Sequence, residues 1–279
     1  MDATDQCKMN DDYVYATPPL VEVIAEVHWE TQKIASIPGG GVDPFYSACL
    51  DAIRKNSHFG DFRHEEHLMP DQVPIEFFSN KPLVRFRKQA NSWPLYQLGP
   101  GIFVTNLTPP YQGWQDFKKI LAHGLRGLFA NYPYADTQLK ISKLELRYVD
   151  AFTKRHGFEN YAVFLTEGLG MSLQVPATVL NNSADGEMKG VVTNSEVSFP
   201  LKKLPSSRGI ISVGLGESSR EKAVVAQFAC TYEGATLQPQ ETTLLDWFDT
   251  AHMELRDWFE QMVSNEVKGT FGAPTKIGN

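Results

Sequence analysis

The chain has 279 residues, 42% of them hydrophobic, and a formal net charge of −7 at pH 7. That apolar content is ordinary for a folded globule, and the length suits one large domain or two small ones. The acidic balance disfavours general nucleic-acid binding, which depends on phosphate neutralisation by Lys and Arg, and no apolar run approaches the roughly eighteen residues of a membrane span.

Residues 1–17 are expected to form a flexible arm. Met1 to Asp12 are polar and acidic and lack the apolar core of a signal peptide. Pro18-Pro19 then bars an incoming helix and marks a strand start. From Leu20 to Glu30 the pattern alternates strictly. Val21, Val23, Ala25, Val27 and Trp29 fall on one side, and Glu22, Ile24, Glu26, His28 and Glu30 on the other. This is a half-buried strand. Gly39-Gly40-Gly41 could cradle a phosphate if it led into a helix N-terminus. No Lys-Ser or Lys-Thr follows it, so it is not a P-loop, and a turn is the plainer reading. Asp43-Pro44 resembles an N-cap and first-turn proline for a helix over about Phe45 to Asn56, with Phe45, Cys49, Ala52 and Ile53 on one stripe.

His58, His64, Glu65, Glu66 and His67 crowd the next segment. Histidines and carboxylates this dense could bind a metal, but the spacing is not that of His-Glu-x-x-His. A polar loop before Met69-Pro70 is the plainer expectation. Three short strands follow, at Pro82–Lys88, Pro94–Leu98 and Ile102–Thr108, with turns close enough for antiparallel hairpins. Arg85, Arg87 and Lys88 read as a charged strand edge. Tyr111, Trp114 and Trp93 could form a ledge for stacking a base, or serve as core anchors. Trp114, Phe117, Ile120, Leu121, Leu125, Leu128, Phe129 and Tyr132 recur at three and four, which is one face of a long helix.

The second half follows the same order. Leu144, Leu146 and Tyr148 alternate with Glu145, Arg147 and Val149, and the strand ends at Asp150. Asn160 is a candidate cap for a short helix over Tyr161 to Glu167, ended by Gly168. Asn181 to Lys189 looks like a surface insertion. Strands are expected at Ser195–Lys202, Gly209–Gly216 and Ala223–Tyr232. A second long helix carries Leu244, Trp247, Phe248, Ala251, Leu255, Trp258, Phe259 and Met262, with Thr243 and Asp246 as a capping pair. Phe271 to Pro274 is either a last strand or a tail.

Each half therefore reads strand, helix, three strands, long helix. The expected fold is α+β, with internally duplicated β-α-β-β-β-α units forming antiparallel sheet with the long helices on one face and pseudo-two-fold symmetry. The boundaries fall at residues 18–138 and 139–279, within one cooperative unit.

Pro18 to Val27 and Leu144 to Asp150 resemble two strands of a sporadically distributed prokaryotic and phage protein family. Its members carry an N-terminal Pro-Pro-hydrophobic-Val-Glu-Val strand and a mid-chain strand ending in Arg-Tyr. Tyr96-Gln97-Leu98, Phe103 to Asn106 and the Trp114–Phe117 helix start are similar as well. The resemblance implies horizontal transfer and a role in mobile-element conflict, such as phage defence or a toxin–antitoxin module. It brings no catalytic residues with it.

Cys7, Cys49 and Cys230 lie far apart with no metal-type spacing, which fits a reducing, cytoplasmic location. Ser47 and Cys49 are poor nucleophile candidates, since no nucleophile-elbow motif is present and no base can be assigned to them. The sharper candidate comes from the repeat. If the two opening strands are neighbours, Glu22, Glu26, His28, Glu145, Arg147 and Asp150 share one surface. An Arg among carboxylates there could bind a ligand or a partner peptide, while the plainer alternative is a solvated face whose charges pair with one another. The expectation is a binding protein without a cofactor. It would hold a co-encoded protein or a small ligand on the polar sheet face or in the groove between halves, with a homodimer as one arrangement. The alternative is an acidic or metal-assisted hydrolase or nuclease, using either this surface or the His58–His67 segment.

Overall fold

The computed structural model describes residues 13–37, 39–56, 59–70, 73–172 and 194–276. In chain order its strands are β1 (Tyr13–Tyr15), β2 (Leu20–Trp29), β3 (Gln32–Lys33), β4 (Gly41–Val42), β5 (His64–His67), β6 (Val84–Arg87), β7 (Leu95–Gly99), β8 (Ile102–Leu107), β9 (Ile141–Phe152), β10 (Ser195–Pro200), β11 (Ser207–Ser218), β12 (Glu221–Tyr232) and β13 (Pro274–Lys276). The helices are α1 (Tyr46–Asn56), α2 (Trp114–Asn131), α3 (Ala135–Gln138), α4 (Tyr161–Val163, continued by a π-turn over Phe164–Gly168), α5 (Glu241–Met262) and α6 (Asn265–Gly269).

Nine strands make one antiparallel sheet in the order β10-β11-β12-β9-β2-β8-β7-β6-β5. The alternation of Leu20–Trp29 puts Val23, Ala25, Val27 and Trp29 at 0–1% exposure on one face. β9 runs antiparallel beside it, with Val27 opposite Leu144 and Ala25 opposite Leu146. Both long helices lie on that same face. Phe117, Leu121, Leu125 and Leu128 of α2 are fully buried, as are Leu244, Phe248 and Ala251 of α5. Each such Leu or Phe side chain contributes about 1.5–3 kcal/mol through burial. Gly124 lets α2 approach closely, since a Cβ there would meet Tyr96 and Phe103 at 2.7–2.8 Å. The helices also touch each other: Trp114 Nε1 donates to Asp249 Oδ1 at 2.6 Å, and Arg126 pairs with Glu241.

Several expectations need correction. Val21 does not join the buried side. A bulge separates the Leu20–Asp150 and Glu22–Val149 pairings, and Val21 turns out to solvent, because a bulge's extra residue leaves the strand's period. His64–His67 is not a loop but the edge strand β5, paired with β6, so Arg85 and Arg87 lie one strand in from the edge. Helix α5 begins at Glu241, with Gln240 as its N-cap residue, so Thr243 and Asp246 already lie inside it. Helix α1 buries Tyr46 and Leu50 beside Cys49 and Ile53. The Asn160 cap is present, its side chain accepting from Val163 N at 3.2 Å.

Asp43 does more than start α1. Its Oδ1 accepts from Phe45 N and Tyr132 Oη, and its Oδ2 from Trp29 Nε1 and Gly101 N. A buried carboxylate is tolerated when its lone pairs are satisfied in this way. Tyr13–Tyr15, at the end of the expected arm, forms a two-stranded ribbon with Pro274–Lys276, so the Phe271 to Pro274 segment leads into a last strand. His58 and Asn181 to Lys189 lie outside the described residues, as does Cys7.

Candidate functional site

The period of two places Glu22, Glu26 and His28 on the sheet face away from the helices, with Glu145 and Arg147 beside them. Glu26 stands directly opposite Glu145. Like charges in that position repel, and the neighbouring cations offset the repulsion. Arg147 reaches Glu26 Oε1 at 3.2 Å and Glu145 Oε1 at 3.5 Å, while Lys143 Nζ lies 2.9 Å from Glu145 Oε2. His28 Nε2 meets Glu26 Oε2 at 2.8 Å. Glu22 accepts from Asn106 Nδ2, whose own Oδ1 accepts from Gln97 Nε2. Burial works against the ionisation of Glu26, but its hydrogen bond with His28 and the charges of His28, Arg147 and Lys143 outweigh this and hold the carboxyl below its usual range. Every carboxylate of this group has a partner. The arrangement is a network of mutually paired charges, as exposed sheet faces commonly carry.

Asp150 does not belong to that surface. Counting by twos from Leu144, Leu146 and Tyr148, it falls on the helix-covered face, opposite Leu20 of β2 and Ala226 of β12. It is 4% exposed. Among the described residues its carboxylate has no hydrogen-bond or ion-pair partner, and burial alone pushes it up to about 7.

Asp150 lines a cleft bounded by the β1 segment, Pro18 to Leu20, strands β9 and β12, the start of α2 and the middle of α5. The cleft encloses about 760 Å³, counting the part open to solvent. Its walls are rich in rings: Tyr13, Tyr15, Tyr111, Trp114, Tyr148, Phe228 and Phe259. His252 stacks on Trp114 with ring centroids 4.6 Å apart and planes 6° from parallel. Its Nδ1 lies 2.9 Å from Tyr148 Oη, which in turn is 3.2 Å from Tyr111 Oη. The β1 ribbon is tied to α5 at the rim, where Tyr13 Oη donates to Glu260 Oε1 at 2.6 Å and Arg256 lies 4.5 Å from the Tyr13 ring centroid. A ring-walled cleft with a few convergent polar groups and a perturbed carboxyl has the character of a ligand site.

The other candidates disperse. Tyr111 and Trp114 of the aromatic ledge share the cleft, but Trp93 lies elsewhere, 4.9 Å from the Arg87 guanidinium. Gly39 and Gly41 belong to the small β3–β4 hairpin rather than to a helix N-terminus. In β5, Glu65 pairs with Arg54 and His67, and Glu66 with Arg85, Arg87 and His64. Among the described residues no group of three or more His, Cys, Asp or Glu side chains could hold a metal ion. Burial pushes the Cys49 thiol up to about 12, with Asp43 adding to the effect, and raises that of Cys230 further. Neither is a nucleophile near neutral pH.

Sequence reasoning missed His252, Glu260, Tyr13 and Tyr15. One signal was available: His252 follows Ala251 and lies four residues after Phe248, on the edge of the apolar stripe of α5. The parity of Asp150 was legible too. Among the described residues no helix is long and apolar enough to cross a membrane. Compared with family models, curated proteins and solved structures, the chain matches none.

Proposed function

We propose that the protein is a binding protein whose ligand is a small molecule held in the ring-walled cleft, and that the polar sheet face is a structural surface. One observation carries this reading: a carboxyl group that is buried, without a partner among the described residues, and set in the lining of an aromatic cleft. Burying such a group costs several kcal/mol unless something compensates it, so a fold that retains it has a use for it. On the sheet face Glu22, Glu26 and Glu145 each already have a partner, which leaves a ligand less to gain there.

We read the scaffold as two β-α-β-β-β-α units joined at β2 and β9 about a pseudo-two-fold axis. Support comes from the sheet order, in which β8 returns beside β2 and β12 beside β9, and from the contact between the two long helices that close the units. On this reading the cleft is the groove between halves. A place in a phage-defence or toxin–antitoxin module rests on the family resemblance alone.

Native mass spectrometry on the full-length protein, purified gently from its host, tests the ligand reading. The expected result is an adduct of a few hundred daltons, lost in a Leu20→Trp variant that fills the cleft mouth. A bare chain, or an adduct indifferent to the filling, overturns it.

A further inference from the structure

Resting on the cleft as a ligand site, we infer that its ligand is a small aromatic molecule carrying a cationic nitrogen, such as an arylalkylamine or an aromatic amidine, with Asp150 as the counter-ion. Three features of the cleft converge on that chemistry.

The first is the charge left over. Of the charged groups lining the cleft, Glu260 is engaged by Tyr13, Tyr15 and Lys268, and Arg256 lies over the Tyr13 ring. Among the described residues Asp150 has no hydrogen-bond or ion-pair partner, and burial is the one cause of its raised pKa, so the charge a ligand meets beside it is negative once it ionises. Beside Asp150 an anionic group would meet repulsion, and an uncharged one would leave the carboxylate unanswered. A cationic N–H donor satisfies it with a charge-assisted hydrogen bond.

The second is the wall. Ring faces carry the negative part of the aromatic quadrupole and attract cations, while their edges and faces take up a planar ring by stacking. Tyr13, Tyr15, Tyr111, Trp114, Tyr148, Phe228 and Phe259 supply such surface on several sides. Pro18, Pro19, Leu20 and Leu255 add apolar contact without further charge.

The third is where the carboxyl titrates. With burial setting it near 7, Asp150 is poised to lose its proton when a cation arrives. Below that point binding must also remove the proton, so affinity for a cation falls about tenfold per pH unit. The titratable groups that line the cleft with Asp150 are Tyr148 on its own strand, His252, Arg256 and Glu260 on α5, Tyr111 before α2, and Tyr13 and Tyr15 on β1. The neighbouring strands contribute uncharged Leu20 and Ala226. Protonation of His252 would act on a cation in the same direction, so only removal of the Asp150 charge isolates its part.

The test is calorimetric titration of the full-length protein with two matched pairs, tryptamine against indole-3-ethanol and benzamidine against benzamide, from about pH 5.5 to 8.5, where both cations keep their charge. The charged member of each pair is expected to bind at least tenfold tighter than its neutral partner at pH 8, and to weaken below pH 7. In Asp150→Asn the preference and most of the pH dependence disappear. Equal binding of charged and neutral members, a reversed pH trend or an unchanged preference in Asp150→Asn overturns the ligand class and leaves the cleft as a site. If no probe binds, or Leu20→Trp displaces none, the cleft reading fails with it. The wild-type comparison of matched pairs stands even if the variant does not fold.

Discussion

Asp43 and Asp150 are both buried aspartates, 8% and 4% exposed, and their surroundings differ completely. Asp43 collects four donors, from the indole of Trp29, the hydroxyl of Tyr132 and two backbone amides. Its carboxylate ties β2, the start of α1, the β7–β8 turn and the end of α2 into one knot. Asp150 collects none among the described residues and faces a cavity. The first is architecture: remove it and four donors lose their acceptor. The second costs the folded chain something and gives nothing back until another molecule answers it. Burial by itself does not separate a structural carboxylate from a functional one; the satisfaction of its lone pairs does.

The largest expected effect comes from breaking the satisfied knot. Asp43→Ala should cost about 3–5 kcal/mol, because the Trp29 and Tyr132 donors are left buried and unpaired. Urea unfolding measures it, and a loss below about 1 kcal/mol would mean that the four hydrogen bonds do not hold the halves of that knot together.

Asp150→Asn should move stability the other way, and only at higher pH. The carboxyl titrates near 7 in the folded chain against an ordinary value of 3.8. As pH rises between those values, the unfolded chain releases its proton while the folded one retains it. Stability contributed by this group therefore falls from about pH 4 to about pH 7 and levels off above. The variant should be more stable than the parent by on the order of 1–3 kcal/mol at pH 8 and nearly equal to it at pH 4, since the asparagine amide is itself buried without a known partner. Thermal melts at the two pH values decide it. A variant equally destabilised at both would mean that Asp150 has a structural role like that of Asp43.

The smallest effect belongs to the polar sheet face. A double-mutant cycle on Glu26 and Arg147 should give a coupling of about 0.3–1 kcal/mol that shrinks in high salt, as partly solvated pairs do. A coupling of several kcal/mol would place this face with the Asp43 knot rather than with ordinary surface charge.

Long periodic segments were the legible part of this chain. Strands β2 and β9 announce themselves by alternation, and α2 and α5 by apolar residues at three and four, because each of these patterns follows from one element burying one face. β5 was not legible: His64-Glu65-Glu66-His67 has no apolar signal, and it is a strand because β6 offers a paired edge and Arg85 and Arg87 to answer Glu66. Strand character of that kind lives in the neighbours. Glu22, Glu26, His28, Glu145 and Arg147 do share a face, as their alternation implies. Asp150 does not share it, because parity along β9 outweighs closeness in sequence.

The amino-acid sequence by itself determined the order of the long elements and the apolar face of each, since both are local consequences of backbone period and side-chain type. Only the tertiary structure decided which groups meet. β1 and β13 pair from opposite ends of the chain, a bulge turns Val21 out and leaves Leu20 facing Asp150, and α5 brings His252 against Trp114 and Tyr148. Whether a buried carboxylate finds donors, as Asp43 does, or faces an aromatic cavity, as Asp150 does, is a matter of distance between segments remote in sequence, and no local pattern encodes that distance.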